Sequence, residues 1–324
     1  MIVSSTPLRI SFFGGGSDLP QYYNKKPGMV LSTAIDRMIH IAINHCEPKH
    51  IRAVYSEVEV VDDVDQLRHN RIREVLKQFV IHSNIEICSF SDVSTKGTGL
   101  GSSSSFTVGL INALSMSFNG YDKRDIAELA CEIEIEKCGE PIGKQDQYAA
   151  AYGGFNAIRF DSSGVEVYPV NVRASTLFEL NENLFCYSTG LTRSTSDILA
   201  DQCNNLSNDE LAFDTTTRMV EMAEQGLRYL RTEKLDDFGA LLHEGWMCKK
   251  RMSSKISNPD IDEMYEIAMK AGALGGKILG AGGGGYMLLY VPRGNQIAVR
   301  HAMRNYKKFY FQFTQKGSAA TRIR

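Results

Sequence analysis

Fifteen residues, Lys96-Gly-Thr-Gly-Leu-Gly-Ser-Ser-Ser-Ser-Phe-Thr-Val-Gly-Leu110, place three glycines and four consecutive serines directly before a segment with helical periodicity. The chemistry this suits is phosphate binding. Gly97, Gly99 and Gly101 let the backbone curl around Leu100 into a concave nest. Successive N–H groups and the positive end of the following helix then point at one anion. The hydroxyls of Ser102, Ser103 and Ser104 add hydrogen bonds or reach a bound Mg²⁺. A flexible glycine-serine linker has the same composition, but linkers do not run into an apolar periodic segment such as Phe106, Val108, Leu110, Ile111 and Leu114.

Spacing excludes two other phosphate motifs. No GxxxxGK[ST] string occurs, so the chain has no Walker loop. Gly280, Gly282 and Gly285 do form GxGxxG, but the run Tyr286 to Pro292 that follows reads as a strand. The dinucleotide fingerprint requires a helix there and an acidic ribose ligand about 20 residues on. No Asp or Glu follows Glu266.

Three further constellations carry polar groups. Near the N-terminus, a strand bearing Arg9 runs into the turn Gly14-Gly15-Gly16-Ser17-Asp18. Glycines there permit close approach of a ligand, and Asp18 at the rim is placed to accept from sugar hydroxyls; an Asx-capped turn accounts for the same residues. In the helix from Asp125 to Gly139, Ile126, Leu129, Ala130 and Ile133 define the buried face. At about 100° per residue Glu128 and Glu132 point to solvent, whereas Glu134 and Glu136 flank the buried face and so reach toward a cleft. The turn Gly139-Glu-Pro-Ile-Gly-Lys-Gln-Asp146 then brings Asp146 close to Lys144. Asp146 reads either as a helix cap or as a carboxylate that orients or deprotonates an attacking hydroxyl.

The elements that must hold these groups follow from period and punctuation. Strands are expected at Leu8 to Phe13, Met29 to Ile35, Met38 to His45, Ile51 to Tyr55 and Ile85 to Phe90. Helices are expected at Ile72 to Ile81, Ser103 to Phe118 and Lys123 to Lys137. A hairpin is expected from Phe155 to Val170 around Asp161-Ser-Ser-Gly164, then strands at Leu184 to Ser188, Gly276 to Leu279 and Tyr286 to Val291. Strands and helices do not alternate strictly, which favours α+β over a doubly wound sheet. A chain of 324 residues is long enough for two domains, and a boundary near residues 173–183 divides it into 1–175 and 176–324. Net charge of −2 gives no reason to expect nucleic acid, and the basic stretch after Ile267 reads as a solvated face. Seven cysteines without a CxxC pair suit reduced thiols in a cytoplasmic protein. His45, Cys46 and His50 read as strand-end residues rather than metal ligands. No signal peptide or membrane-length apolar run is evident.

Taken together, the motifs resemble the GHMP kinase family of small-molecule kinases. Pro7 to Asp18 lies over the family's first motif, PGRxNLIGEHTDY, without gaps. Thr95 to Ser105 corresponds to PxxxGLGSSAA with threonine for proline, and Lys277 to Gly285 matches KxxGAGGGG. The resemblance implies an N-terminal α+β domain with a left-handed βαβ crossover, a ferredoxin-like C-terminal domain, and ATP between them. It also implies that Ser103 and Glu134 hold Mg²⁺, that Asp146 is the catalytic aspartate, and that Arg9 steadies the transferring phosphoryl group. The loop Gly282-Gly283-Gly284-Gly285 would brace the nucleotide loop and the substrate side.

Within that family, GGGSD, GKQDQYAAAYGG and Thr189 to Ser194 look most like the branch that phosphorylates D-glycero-D-manno-heptose 7-phosphate on its anomeric hydroxyl. That product feeds nucleotide-activated heptose and surface polysaccharide. Gly15 and Gly16 replace two bulky residues of galactokinase and leave room for a seven-carbon sugar, with Ser17 and Asp18 alongside. Lys144 and Arg193 are the candidate cations for its phosphate. Another sugar 1-kinase, for fucose or an N-acetylhexosamine, and a non-catalytic nucleotide sensor are the alternatives.

Overall fold

Ile39, Ile41 and Ile43 are buried and alternate with half-buried or exposed His40, Ala42 and Asn44, the two-residue period of a strand with one face on the core. They belong to β2 (Gly28–His45), which lies antiparallel to β1 (Ile2–Phe13). The computed structural model describes residues 1–47, 49–94, 97–118, 120–192 and 195–323, without the side chains of 195 and 196. Two strands were expected over 29–45. They are one, and the register shift opposite Pro7 and Leu8 falls at the expected break, so a bulge bends the strand instead of ending it.

Around this pair stand β3 (Ile51–Val54), β4 (Val58–Val61), β5 (Ile85–Ser91) and the hairpin β6 (Phe155–Asp161) and β7 (Gly164–Pro169). One half of β2 pairs with β5 and the other with β6. β3 lies parallel to β5, and the chain between them passes through β4 and helix α2 (Asn70–Gln78), after the short α1 (Pro20–Tyr23). On the sheet pack α3 (Ser102–Ser115) and α5 (Gln145–Tyr152), with α4 (Lys123–Cys131) against both helices.

After α6 (Ala174–Asn183), a second sheet holds β8 (Leu184–Ser188), β9 (Gly275–Ile278), β10 (Tyr286–Tyr290) and β11 (Lys308–Phe309) in the antiparallel order β11-β8-β10-β9. Helices α7 (Thr195–Asn208), α8 (Glu210–Arg231), α9 (Leu235–Arg251) and α10 (Pro259–Lys270) join β8 to β9, and α11 (Gln296–Ala302) joins β10 to β11. This is the ferredoxin-like βαββαβ order. The last strand, β12 (Ala319–Arg322), crosses back to pair with β1, so the chain end stitches onto the first sheet.

One apolar cluster spans both parts, while Phe185, Tyr187, Met287 and Leu289 on the other face of the second sheet pack into a cluster of their own. The Phe12 ring stacks on Phe155 of the first sheet at 5.3 Å and meets Phe238 of α9 edge-on at 5.4 Å. The cleft between the sheets is therefore walled by elements locked to a common interior. Among the described residues, no helix is long and apolar enough to cross a membrane.

Candidate active site

The glycine-serine segment forms the nest its spacing predicts. Gly101, in the left-handed region at φ +75°, is the N-cap of α3 and brings no side-chain cap to the first turn of the helix, the end at which backbone N–H groups favour an anion. The apolar face of the same helix, from Val108 to Leu114, is buried and anchors the nest. Leu100 contributes main chain only: its side chain is buried, and its carbonyl accepts from Arg9 N at 3.0 Å. Gly97, Gly99, Gly101 and Ser102 to Ser104 line the cleft.

Arg9, in the middle of β1, reaches the same point. Its Nη1 donates to the Gly99 carbonyl at 2.6 Å, while Nε and Nη2 donate to Oδ1 and Oδ2 of Asp146 at 2.7 and 2.8 Å. This is a bidentate pair, with side-chain exposures of 5% for Arg9 and 23% for Asp146. A Cβ placed on Gly101 would lie 3.3 Å from Asp146 Oδ2, so the carboxylate stands directly beside the phosphate nest. Asp146 sits in the first turn of α5, whose buried Ala149, Ala150 and Ala151 let the helix press against β1 and β2.

Asp18 closes the other side. Its carboxylate accepts from Gly16 N at 3.0 Å and Gln145 N at 3.2 Å. Burial, then the nearby Asp146 charge, raise its pKa above the usual carboxylate value. Gly15, Gly16 and Asp18 line the cleft, but Ser17 does not: its hydroxyl donates to the Gly14 carbonyl at 2.7 Å and accepts from Met29 N at 3.1 Å, holding the turn to β2.

Glu134 is where local periodicity misleads most. Residues Glu132–Lys137 wind as a π-helix, and this wider turn swings Glu134 from the flank into the interior at 0% exposure. Its Oε1 accepts from Arg71 Nε at 2.9 Å and Thr107 Oγ1 at 2.8 Å. Oε2 accepts from Ser104 Oγ at 2.8 Å and Gln147 Nε2 at 2.6 Å. Ser104 and Thr107, one turn apart, face inward to Glu134, while Ser103 is exposed at the cleft. Each Glu134 oxygen therefore already accepts two hydrogen bonds from protein donors. Arg71 also binds Glu140 at 3.0 Å. Arg71→Met would leave Glu134 buried with only neutral donors, and we expect a loss of about 3 kcal/mol in urea unfolding; an unchanged midpoint would refute the role.

Other expected substrate groups lie elsewhere. Lys144 does not line the cleft; its ammonium rests over the Tyr23 ring at 5.0 Å. Arg193 lies outside the described residues. Gly282, Gly283 and Gly284 pack against Ile256 and Leu191, because a Cβ at Gly282 or Gly284 would meet backbone there. It is Gly280 and Gly285 that brace the nucleotide loop: a Cβ on Gly280 would lie 2.5 Å from Gly99 Cα, and one on Gly285 2.6 Å from the Gly97 carbonyl oxygen.

Three cleft residues, Arg71, Gln202 and Lys249, lacked any motif to announce them, and Gln145, inside the GKQDQYAAAYGG stretch, had no role assigned. Gln145 Oε1, Gln202 Nε2 and Ser11 Oγ, all from residues lining the cleft, are buried, and among the described residues none has a hydrogen-bond partner. Lys249 Nζ donates to the Gly280 carbonyl, and burial, then the Arg9 charge, push its pKa down to about 7. Lys277, which opens the third motif, donates from Nζ to the Ser11 and Phe12 carbonyls at 2.9 Å each and pins β9 to β1; burial holds its pKa well below the ordinary lysine value.

Known proteins resemble this chain in sequence and fold. Residues 60–154 match the GHMP kinases N terminal domain and residues 227–308 the GHMP kinases C terminal domain. The D-glycero-alpha-D-manno-heptose 7-phosphate kinase of Campylobacter jejuni is 31% identical over 99% of each chain. The bifunctional fucokinase/GDP-fucose pyrophosphorylase of Arabidopsis thaliana is 27% identical over 87% of this chain and 29% of its own length. A D-glycero-D-manno-heptose 1-phosphate kinase from Bacteroides thetaiotaomicron superposes with a TM-score of 0.82 at 25% identity, covering all of both chains. An uncapped glycine-serine nest, an arginine-clamped aspartate beside it, and full-length similarity in sequence and fold place this chain in the GHMP kinase family.

Proposed function

We propose that the protein transfers the γ-phosphoryl group of ATP to the anomeric C1 hydroxyl of D-glycero-D-manno-heptose 7-phosphate, giving the 1,7-bisphosphate. The observation that carries the reading is Asp146 held by Arg9 directly beside the uncapped start of α3, one carboxylate facing one phosphate nest. ATP lies with its phosphates on the amides from Gly99 to Ser104, between the units 1–175 and 176–324, and brings Mg²⁺ with it as substrate.

The C1 oxygen attacks the γ-phosphorus in line, a new P–O bond forms, and the bond to the β,γ-bridging oxygen breaks as ADP leaves. Asp146 orients the hydroxyl and accepts its proton on a lone pair that Arg9 does not use. Arg9 offsets the charge that develops on the transferring group. No phosphoenzyme is needed. A polyhydroxyl acceptor suits the cleft, since the unpartnered amides of Gln145 and Gln202 and the Ser11 hydroxyl are buried where a sugar would satisfy them. The choice of heptose 7-phosphate leans on the Campylobacter relative and on the room at Gly15 and Gly16.

Screening Mg-ATP with sugars for ADP release tests the assignment. Heptose 7-phosphate is expected to turn over at least about 100-fold faster than free heptose, fucose or N-acetylhexosamine, since a site built to bind a polar group rejects the analogue lacking it. Equal rates with phosphorylated and free sugars would overturn the substrate, and no ADP with any sugar would favour a nucleotide sensor.

A further inference from the structure

Lys249 is a cleft cation that the mechanism above leaves without a task. It projects from the last turn of α9, one turn beyond Gly245, and both residues line the cleft. Among the described residues, the one hydrogen bond of its ammonium is to the Gly280 carbonyl, at the seam where Gly280 meets Gly99 of the nest. Arg9 Nη1 holds the Gly99 carbonyl on the same seam, and Lys277 is tied to β1 two and three residues beyond Arg9. Three basic side chains from β1, α9 and β9 therefore converge close enough to feel one another.

The acids facing them do not balance this charge. Asp146 on α5 spends both oxygens on Arg9, and Asp18 accepts from the backbone amides of Gly16 and Gln145. No carboxylate among the described residues pairs with Lys249. On its own helix the neighbouring Lys250 binds Asp262 at 3.0 Å. Gathering like charges in a cleft is unfavourable unless an anion joins them.

We propose that Lys249 is a phosphate-binding residue that holds an oxygen of the transferring γ-phosphoryl group beside Arg9. The site favours this group over the phosphate of the sugar, because Lys249 is fixed to the seam of the nucleotide loop, whereas the sugar side is formed by Gly15, Gly16 and Asp18. The inference rests on the kinase reading, and its experiment judges the two separately. Depression of the Lys249 pKa to about 7 supports it: in the free protein the ammonium loses its proton as pH rises through that value, and with it the grip on phosphate.

Binding of ADP and of the β,γ-imido analogue of ATP, with Mg²⁺, is measured by calorimetry at pH 6 and pH 8.5 for the wild type, K249R and K249M. The wild type is expected to prefer the imido analogue at least about 10-fold at pH 6 and less at pH 8.5, as one charge-assisted contact on a third phosphate implies. K249R, charged throughout, keeps the preference at both values and reports what the nucleotide's own ionisation contributes. K249M loses it at both while binding ADP within threefold, and its turnover falls about 100-fold. A K249M protein that retains the preference overturns the proposal, as does one whose only defect is a raised KM for sugar phosphate. If the wild type releases no ADP with any phosphosugar, the kinase reading falls, yet the ADP comparison still decides the role of Lys249. Thermal unfolding of each variant confirms that it is folded.

Discussion

Asp146→Asn is expected to lower turnover by at least about 100-fold while leaving ATP affinity within a few-fold, as removal of a general base does. The structure gives a second reason for a large effect. An asparagine keeps one acceptor for Arg9 but turns its NH₂ toward the other guanidinium nitrogen, two donors that repel. One substitution thus removes the proton acceptor and loosens the cation beside it. The nest is untouched, because Gly101 and the amides of α3 are set by backbone rather than by Asp146. Steady-state kinetics with ATP and sugar phosphate varied separately distinguish this from a binding defect. Wild-type turnover by Asp146→Ala would remove Asp146 from the chemistry.

Gly99→Ala is expected to be the more damaging change to the nucleotide site. Gly99 sits at φ +73°, and an added Cβ would overlap the Leu279 carbonyl oxygen and lie 2.5 Å from its carbon. Backbone on both sides of that contact cannot yield as a flexible side chain would. The left-handed conformation alone costs alanine about 1 kcal/mol. Forcing the two loops apart brings the expected loss to about 3 kcal/mol, with kcat/KM for ATP reduced more than about 100-fold. Gly120 supplies the control: it has the same φ of +73° and nothing within 4 Å of an added Cβ. Gly120→Ala should show the conformational cost without the loss of ATP use. Equal behaviour of the two variants would mean that the Gly99–Leu279 contact is unimportant.

Local patterns carried far in this chain, and they stopped where contacts between distant segments took over. Lys249 stands 145 positions after Ser104 of the glycine-serine loop, and nothing in Trp246-Met-Cys-Lys249 hints at phosphate. The packing of α9 against β9, α8, β10 and β1 brings it to the cleft. Arg71 is similar: on α2 it reads as one of several arginines, and it matters because Glu134 is buried next to it. Lys144 shows the converse. Its nearness to Asp146 in sequence suggested a phosphate ligand, but the turn at the start of α5 points the two side chains apart, and Tyr23 takes the ammonium.

What the sequence by itself determined is the geometry whose cause is local: a glycine-serine nest at Gly97 to Ser104, a strand carrying Arg9, and an acid in the turn that ends at Asp146. Glycine spacing, strand alternation and caps act over a few residues, so they are legible without a partner. Tertiary structure alone decided that Arg9 clamps Asp146, that the π-turn buries Glu134 against Ser104 rather than Ser103, and that Gly280 and Gly285, not Gly282 to Gly284, brace the loop. Each depends on which backbones come within hydrogen-bond or van der Waals reach once the two sheets share a core. That proximity is set by the summed packing of residues far apart in the chain.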